Sequence, residues 1–297
     1  MPEELELVVR SGHLELPATL TLPDGTARAG VVPLHGASDP NRDSELFAHL
    51  ARVLPLEGIA MLRYDRRPNT SVDDVPFTRQ ADDALAAIAL LREHVADAPI
   101  GLWAYSQGTW PATLAAAEQP DQIAFLALVS AQGMSPAEQM RFGTREQVRR
   151  GGYDERAQGE AVEAWSALES FLRGGRSRED AQAVIDTYAD RPWFPSLTMP
   201  AELPQDASWH DIDFDPRPYI ERVRCSVLLF YGTEDEWTPV EPSMRAWRDG
   251  TAPSGASLTV TELPGLGHAP VDPSDGGVSP AYETALLDWL RTVVPSA

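Results

Sequence analysis

The stretch Gly101-Leu102-Trp103-Ala104-Tyr105-Ser106-Gln107-Gly108-Thr109-Trp110 constrains the fold more than any other part of the chain. An apolar run leads into it and an alanine-rich run leaves it. Between them stands a serine with a small residue two positions to either side, Ala104 and Gly108. This small-x-Ser-x-Gly pattern suits a strand that turns sharply into a helix. The turn strains the serine backbone, and bulk at either flank would hold strand and helix apart. The same residues also suit an ordinary helix cap after a buried strand. The two readings part on whether a base, an acid and a pair of backbone donors occur at other strand ends.

Hydrophobic periodicity supplies those strand ends. Residues 4–22 alternate apolar and polar about Ser11-Gly12, which predicts two antiparallel strands at a sheet edge. Strands are then expected at 30–34, 59–63, 100–103 and 123–130, with helices at 44–57, 79–95 and 108–118 between them. Strands alternating with helices imply a mostly parallel central sheet of about eight strands, flanked by helices on both faces. From 131 to 221 the alternation stops. Helical spacing covers 136–150, 155–171 and 177–188, and a Pro- and Trp-rich stretch, 191–209, follows. Alternation resumes with strands at 227–231 and 257–263 and helices at 240–248 and 281–293. Residues 1–130 and 222–297 are therefore expected to form one α/β core, with 131–221 as a helical lid inserted into it.

Composition excludes several classes of function. The formal net charge of −21 opposes nucleic acid or an anionic membrane as partner. All 24 cationic side chains are arginine, which removes Schiff-base, Ser–Lys and phosphate-loop lysine chemistry. The one cysteine, Cys225, opens an apolar run and reads as a buried structural thiol; it permits no internal disulfide. No metal site or cofactor is expected. No apolar run approaches a membrane span and no leader is visible, so the protein is expected to be soluble and cytoplasmic.

Three further segments bear on Ser106. His35-Gly36-Ala37 follows the third strand, at the sheet edge where the serine turn also lies. The Ala37 and Gln107 N–H groups can there form a pair of oxyanion donors, with the His35 side chain a buried spacer. After the strand at 227–231 comes Gly232-Thr233-Glu234-Asp235-Glu236-Trp237-Thr238-Pro239. Glu234 and Glu236 compete with Asp235 as the acid. Asp235 is favoured because the Gly-x-x-Asp-x-x-x-Pro frame turns that side chain back toward the sheet. Beyond the last strand, Gly267-His268-Ala269 leaves an imidazole room to reach a neighbouring serine. The three occur in the order Ser106, Asp235, His268, with His268 as general base and Asp235 orienting it.

With these residues in place the chain resembles the α/β-hydrolase superfamily over nearly its whole length. Several stretches are similar to the esterase- and peptidase-like hydrolases grouped with dienelactone hydrolases. They are the run from His35 through Ser38, Asp39 and Pro40 to Asp43, Leu62-Arg63-Tyr64-Asp65-Arg66-Arg67, Tyr105-Ser106-Gln107-Gly108, Asp215-Pro216-Arg217, and Leu263 through His268. The resemblance implies hydrolysis of a carboxylic ester through an acyl-enzyme on Ser106, with Asp235 and His268 completing the triad and Ala37 and Gln107 as donors. Asp65 is expected to brace its loop rather than react. Two departures stand out: Ala104 in place of the usual Gly, and Pro68-Asn69-Thr70-Ser71 where a glycine-rich continuation is usual.

The insertion is expected to roof the site, with Trp193, Phe194 and Met199 lining an apolar pocket together with Trp237. The expected partner is a small-molecule ester or thioester. The same triad also serves thioesterases, acyltransferases and cyclases, and the same scaffold can serve as a non-catalytic binding protein. Dehalogenase and epoxide-hydrolase chemistry would need an aspartate at position 106.

Overall fold

The computed structural model describes residues 3–37, 40–67, 75–95 and 97–294. The chain opens with a hairpin, β1 (Glu3–Ser11) and β2 (Leu14–Leu22). There follow β3 (Ala29–Leu34), α1 (Glu45–Val53), β4 (Ile59–Tyr64), α2 (Phe77–Val95), β5 (Ile100–Tyr105), α3 (Thr109–Glu118) and β6 (Phe125–Val129). After β6 come α4 (Pro136–Arg150), α5 (Glu155–Leu172), α6 (Arg178–Asp186) and the single turn α7 (Arg217–Ile220). The alternation then resumes with β7 (Ser226–Gly232), α8 (Val240–Ser254), β8 (Leu258–Leu263) and α9 (Pro280–Val293).

The eight strands form one sheet in the order β1-β2-β4-β3-β5-β6-β7-β8. Pairings β1–β2 and β2–β4 are antiparallel, and all those from β4–β3 onward are parallel. This is the mostly parallel sheet with antiparallel first strands that periodicity predicts. From β3 the chain passes outward to β4 on one side and then crosses back to β5 on the other. The adjacent carboxyl ends of β3 and β5 therefore form the crevice where open α/β sheets hold ligands.

Period-2 alternation divides each central strand between two cores. In β7, Val227, Leu229 and Tyr231 join one apolar cluster while Leu228 and Phe230 join the other. The first cluster lies under α2, α3 and α8 and contains Trp110 and Trp247. The second lies under α1 and α9 and contains Phe47, Trp103, Phe125 and Trp289. A buried hydrogen bond from Trp103 Nε1 to the Tyr282 hydroxyl, 2.7 Å, ties β5 to α9 across this second layer. Helices α4–α6 enclose a third apolar cluster of their own, around Val148, Trp165, Leu168 and Ile185.

Some boundaries differ from the periodicity reading. The serine turn is a short 3-10 stretch, Ser106–Gly108, and α3 starts only at Thr109. Helix α8 runs on past Arg248 to Ser254, with Pro253 in its last turn. Cys225 is packed against the first core, and burial pushes its thiol up to about 12, so it stays protonated at neutral pH. Among the described residues no helix is long and apolar enough to cross a membrane.

At the end of β7, a Cβ on Gly232 would collide with the carbonyl oxygens of Leu266 and Gly267. The loop that leads to His268 is thus laid directly on the end of β7, and only glycine leaves room for it. Gly232→Ala is expected to cost roughly 1–3 kcal/mol, because the obstacle is backbone and cannot turn aside. Urea unfolding checks this; an unchanged midpoint would refute the packing argument.

Candidate active site

The site is built on the carboxyl ends of β3, β5, β6, β7 and β8. Strand β5 delivers the chain to Tyr105 in extended conformation, and Ser106 then adopts φ 51°. A non-glycine residue in this left-handed region is strained by about 1–3 kcal/mol, which the surroundings must hold in place. Two contacts do so. The Thr109 hydroxyl donates to the Ser106 carbonyl at 2.7 Å. Gly108 lies so close to β3 that a Cβ there would sit 2.6 Å from the His35 oxygen and 2.8 Å from that of Leu34. The small residue after the serine is thus required by the neighbouring strand, and fully buried Ala104 meets the same demand before it.

Asp235 follows the end of β7 and is 6 % exposed. Its Oδ1 accepts the N–H groups of Trp237 and Thr238, each at 2.8 Å. Its two carboxylate oxygens lie 2.9 and 3.1 Å from His268 Nδ1. Burial alone would push this carboxyl up. The His268 hydrogen bond and charge, with the two N–H donors, outweigh burial and hold it below the usual carboxylate range. An ionised carboxylate facing Nδ1 keeps the ring proton there, which leaves Nε2 as an acceptor. Nε2 lies 2.7 Å from Ser106 Oγ. The structure therefore brings Ser106, His268 and Asp235 into one hydrogen-bonded line. The competing acids stay outside it: Arg150 of α4 donates to the Glu234 carbonyl at 2.6 Å and stands 4.0 Å from the Glu236 carboxylate.

Several supporting residues escape a reading of the sequence. Ser130, just beyond β6, also has positive φ, 54°, and its hydroxyl donates to the His268 carbonyl at 2.7 Å. Thr238, fully buried, places its hydroxyl 3.4 Å from His268 Nδ1 and accepts from Gln132 at 2.8 Å. Arg66, in the loop after β4, donates to the carbonyls of Gly36 at 2.9 Å and Ala37 at 3.0 Å and to Gln107 Oε1 at 2.8 Å. One guanidinium thereby joins the loop after β3 to the serine turn. Ser130 carries a usable signal, its place at a strand end on the same edge. Arg66 carries none without the strand order. Asp65 braces its loop as expected, accepting the Arg42 N–H at 2.9 Å and its guanidinium at 2.8 Å.

Ser106 and His268 open into a cavity of about 420 Å³. Its floor includes Ala37, Tyr105 and Gln107; its walls are Trp110, Gln139, Met140, Thr198, Trp209 and Trp237. Trp237 lines the cavity as expected, but Trp193, Phe194 and Met199 do not. They are 2 %, 6 % and 6 % exposed and belong to the apolar cluster of α4–α6, where Trp193 packs on Tyr188 and Phe194. The lack of helical period in their stretch reflects irregular backbone folded over that cluster. Trp209 and Met140 take the places expected of them. The Pro68-Asn69-Thr70-Ser71 departure, and Ser38 and Asp39, lie outside the described residues.

Comparison with known proteins gives the family and the fold. Residues 25–271 match the family model of the serine aminopeptidases, S33. The chain belongs to this family of α/β hydrolases. Its fold is similar to that of a dienelactone hydrolase from Anabaena variabilis (16 % identity, 99 % of both chains covered, TM-score 0.58). It is similar also to a thermostable carboxyl esterase from Bacillus coagulans (15 % identity, 99 % of both chains, TM-score 0.64). A third similar structure is a proline iminopeptidase from Mycobacterium smegmatis (14 % identity, 97 % of this chain and 98 % of that one, TM-score 0.64). No curated protein sequence matches the chain.

The His35 ring is buried beside Phe47 and Tyr64, and its Nε2 has no hydrogen-bond partner among the described residues. Burial first, and the Arg66 charge second, lower its pKa to about 3. The folded value lies below the unfolded one of roughly 6.5, so protons favour the unfolded chain between them. The stability this group contributes is complete above about pH 6.5 and is lost at roughly 1.4 kcal/mol per pH unit below it. The urea midpoint is accordingly expected to fall between pH 7 and pH 4.5, and to fall less steeply in His35→Gln. Equal slopes would remove His35 as the cause.

Proposed function

We propose that this hydrolase cleaves a carboxylic ester through an acyl-enzyme on Ser106. The observation that carries the reading is the line Ser106 Oγ, His268 Nε2, His268 Nδ1, Asp235, at 2.7 and 2.9 Å. His268 Nε2 takes the hydroxyl proton as Oγ attacks the ester carbon, and Asp235 stabilises the imidazolium that forms. The imidazolium then returns the proton to the departing alkoxide. Water, deprotonated by the same Nε2, attacks the acyl carbon and releases the acid and Ser106. The N–H groups of Ala37 and Gln107 hold the oxyanion of each tetrahedral intermediate.

Arg66 supports those donors. The Gly36 carbonyl, which accepts from Arg66, belongs to the same peptide unit as the Ala37 N–H. A positive charge on the oxygen end orients that peptide and strengthens its N–H dipole toward the cavity. The same guanidinium holds the Gln107 side chain. Esters suit the site better than free amino termini. No residue described as lining the cavity is acidic, so an α-ammonium group would be desolvated there without a counter-charge.

Ser106→Ala is expected to lower kcat/KM for p-nitrophenyl butyrate by roughly 10⁴–10⁶-fold with the urea midpoint retained. Mass spectrometry after fluorophosphonate treatment should find the adduct on Ser106 alone; full activity in the alanine variant would end the proposal. Whether water or a second nucleophile releases the trapped acyl group separates hydrolysis from thioesterase, acyl-transfer or cyclising chemistry. Arg66→Met is expected to reduce kcat by roughly 10–100-fold with KM little changed, since it disturbs donors used mainly in the transition state. A change confined to KM would place Arg66 in substrate binding instead.

A further inference from the structure

Four glutamines are buried among the described residues: Gln80, Gln107, Gln132 and Gln139. In three of them the side-chain amide makes a hydrogen bond, although Gln132 Oε1 has no partner among the described residues. Gln80 donates to the Val75 carbonyl at 2.8 Å, Gln107 accepts from Arg66 at 2.8 Å, and Gln132 donates to Ser130 at 3.2 Å and Thr238 at 2.8 Å. The amide of Gln139 makes no hydrogen bond within the described residues, although the residue is only 7 % exposed. It lines the cavity over Ser106 among Trp110, Met140, Trp209 and Trp237.

The backbone that carries Gln139 is fixed. Ser135 and Glu138 form a reciprocal capping box at the start of α4. The Ala137 N–H donates to the Ile212 carbonyl at 2.8 Å, and Trp110 Nε1 donates to the Met134 carbonyl at 3.1 Å. One turn further along the same helix face, Gly143 packs against the Trp237 ring. No described residue satisfies this amide, and a helix held this firmly keeps it at the cavity wall. An apolar pocket that keeps a few polar groups, Gln139 and the Trp209 indole N–H among them, in fixed positions has the usual make-up of a specificity site.

We infer that Gln139 reads a neutral hydrogen-bonding group on the substrate. The ester this site prefers carries a hydroxyl, ether, keto or amide group on an otherwise apolar acyl or alcohol part. Neutrality follows from the lining, which offers no carboxylate or arginine to balance a charge. The inference rests on the reading of Ser106 as the nucleophile of an ester hydrolase, and it adds the class of ester.

The test uses the full chain and matched esters. One series compares p-nitrophenyl hexanoate with hexanoates carrying a single hydroxyl, keto or acetamido group along the chain. A second compares phenyl acetate with acetates of phenols bearing hydroxyl or acetamido substituents, followed by pH-stat. The wild-type protein is expected to prefer at least one polar ester over its plain parent by about 10-fold or more in kcat/KM. Gln139→Leu should remove that preference, lowering kcat/KM for the polar ester about 10–100-fold and for the plain one less than about threefold. Fluorophosphonate labelling of Ser106 reports whether the variant is folded. If Gln139→Leu does not label, Gln139→Asn, which withdraws the amide by one methylene, is expected to lose the preference in the same way. The inference is overturned if no polar ester is preferred, or if substitution changes polar and plain esters equally, as for an amide that is merely hydrated. Hydrolysis unaffected by Ser106→Ala would instead sink the reading of the site beneath it.

Discussion

The approach of the serine turn to the end of β3 is the contact on which the rest of the site depends. Gly108 lies against the Leu34 and His35 carbonyls with no space for a side chain. That proximity lays the serine turn, where Ser106 holds φ 51°, against the end of β3. It is a backbone contact between two parallel strands, β3 and β5, paired from Gly30↔Ile100 to Leu34↔Ala104. A shift of one residue in that register would move Gly108 away from the carbonyls and turn Trp103 toward the wrong core. The site is therefore specified by the same pairing that builds the sheet.

Much of this was legible in the sequence, for reasons that differ between residues. Ser106, Asp235 and His268 each lie in a loop just past an apolar strand, and the alternation of strands and helices already put those loops on one edge. Asp235 could be told from Glu234 and Glu236 by the Gly232 and Pro239 frame, and its carboxylate indeed meets the ring. Arg66 was not legible, because its role comes from β4 lying next to β3, and strand order is set by tertiary packing. The cavity walls failed for a related reason. Trp193, Phe194 and Met199 are apolar and lack helical period, which describes a pocket lining and an irregular core equally well. Only the fold of α4–α6 decides between them.

The exclusive use of arginine shapes how the loops are held. Arg66 serves three acceptors on two loops, and Arg42 reaches Asp65, Glu6 and Thr19. Arg67 grips Asp83, which is 1 % exposed, through two nitrogens at 2.6 and 3.0 Å. A planar fork with five donors can do this, whereas an ammonium group is a point charge. In a chain of net charge −21 these clamps also gather acids that would otherwise repel one another. The result is a set of loops braced by guanidinium groups around the reactive edge.

Helices α4–α6 are built differently, around an apolar cluster separate from the two that sandwich the sheet. They and the loop leading into α4 meet the sheet edge through contacts such as Trp110 with Met134, Arg150 with Glu234, and Gly143 with Trp237. Residues that share no partners contribute to stability nearly additively, so substitutions around Trp165 and Ile185 can accumulate with little effect on the edge. The cavity wall they carry is then free to diverge in shape and polarity while the reacting groups stay as they are. In evolutionary terms, one part of this molecule is held to a fixed geometry and the part facing it can drift.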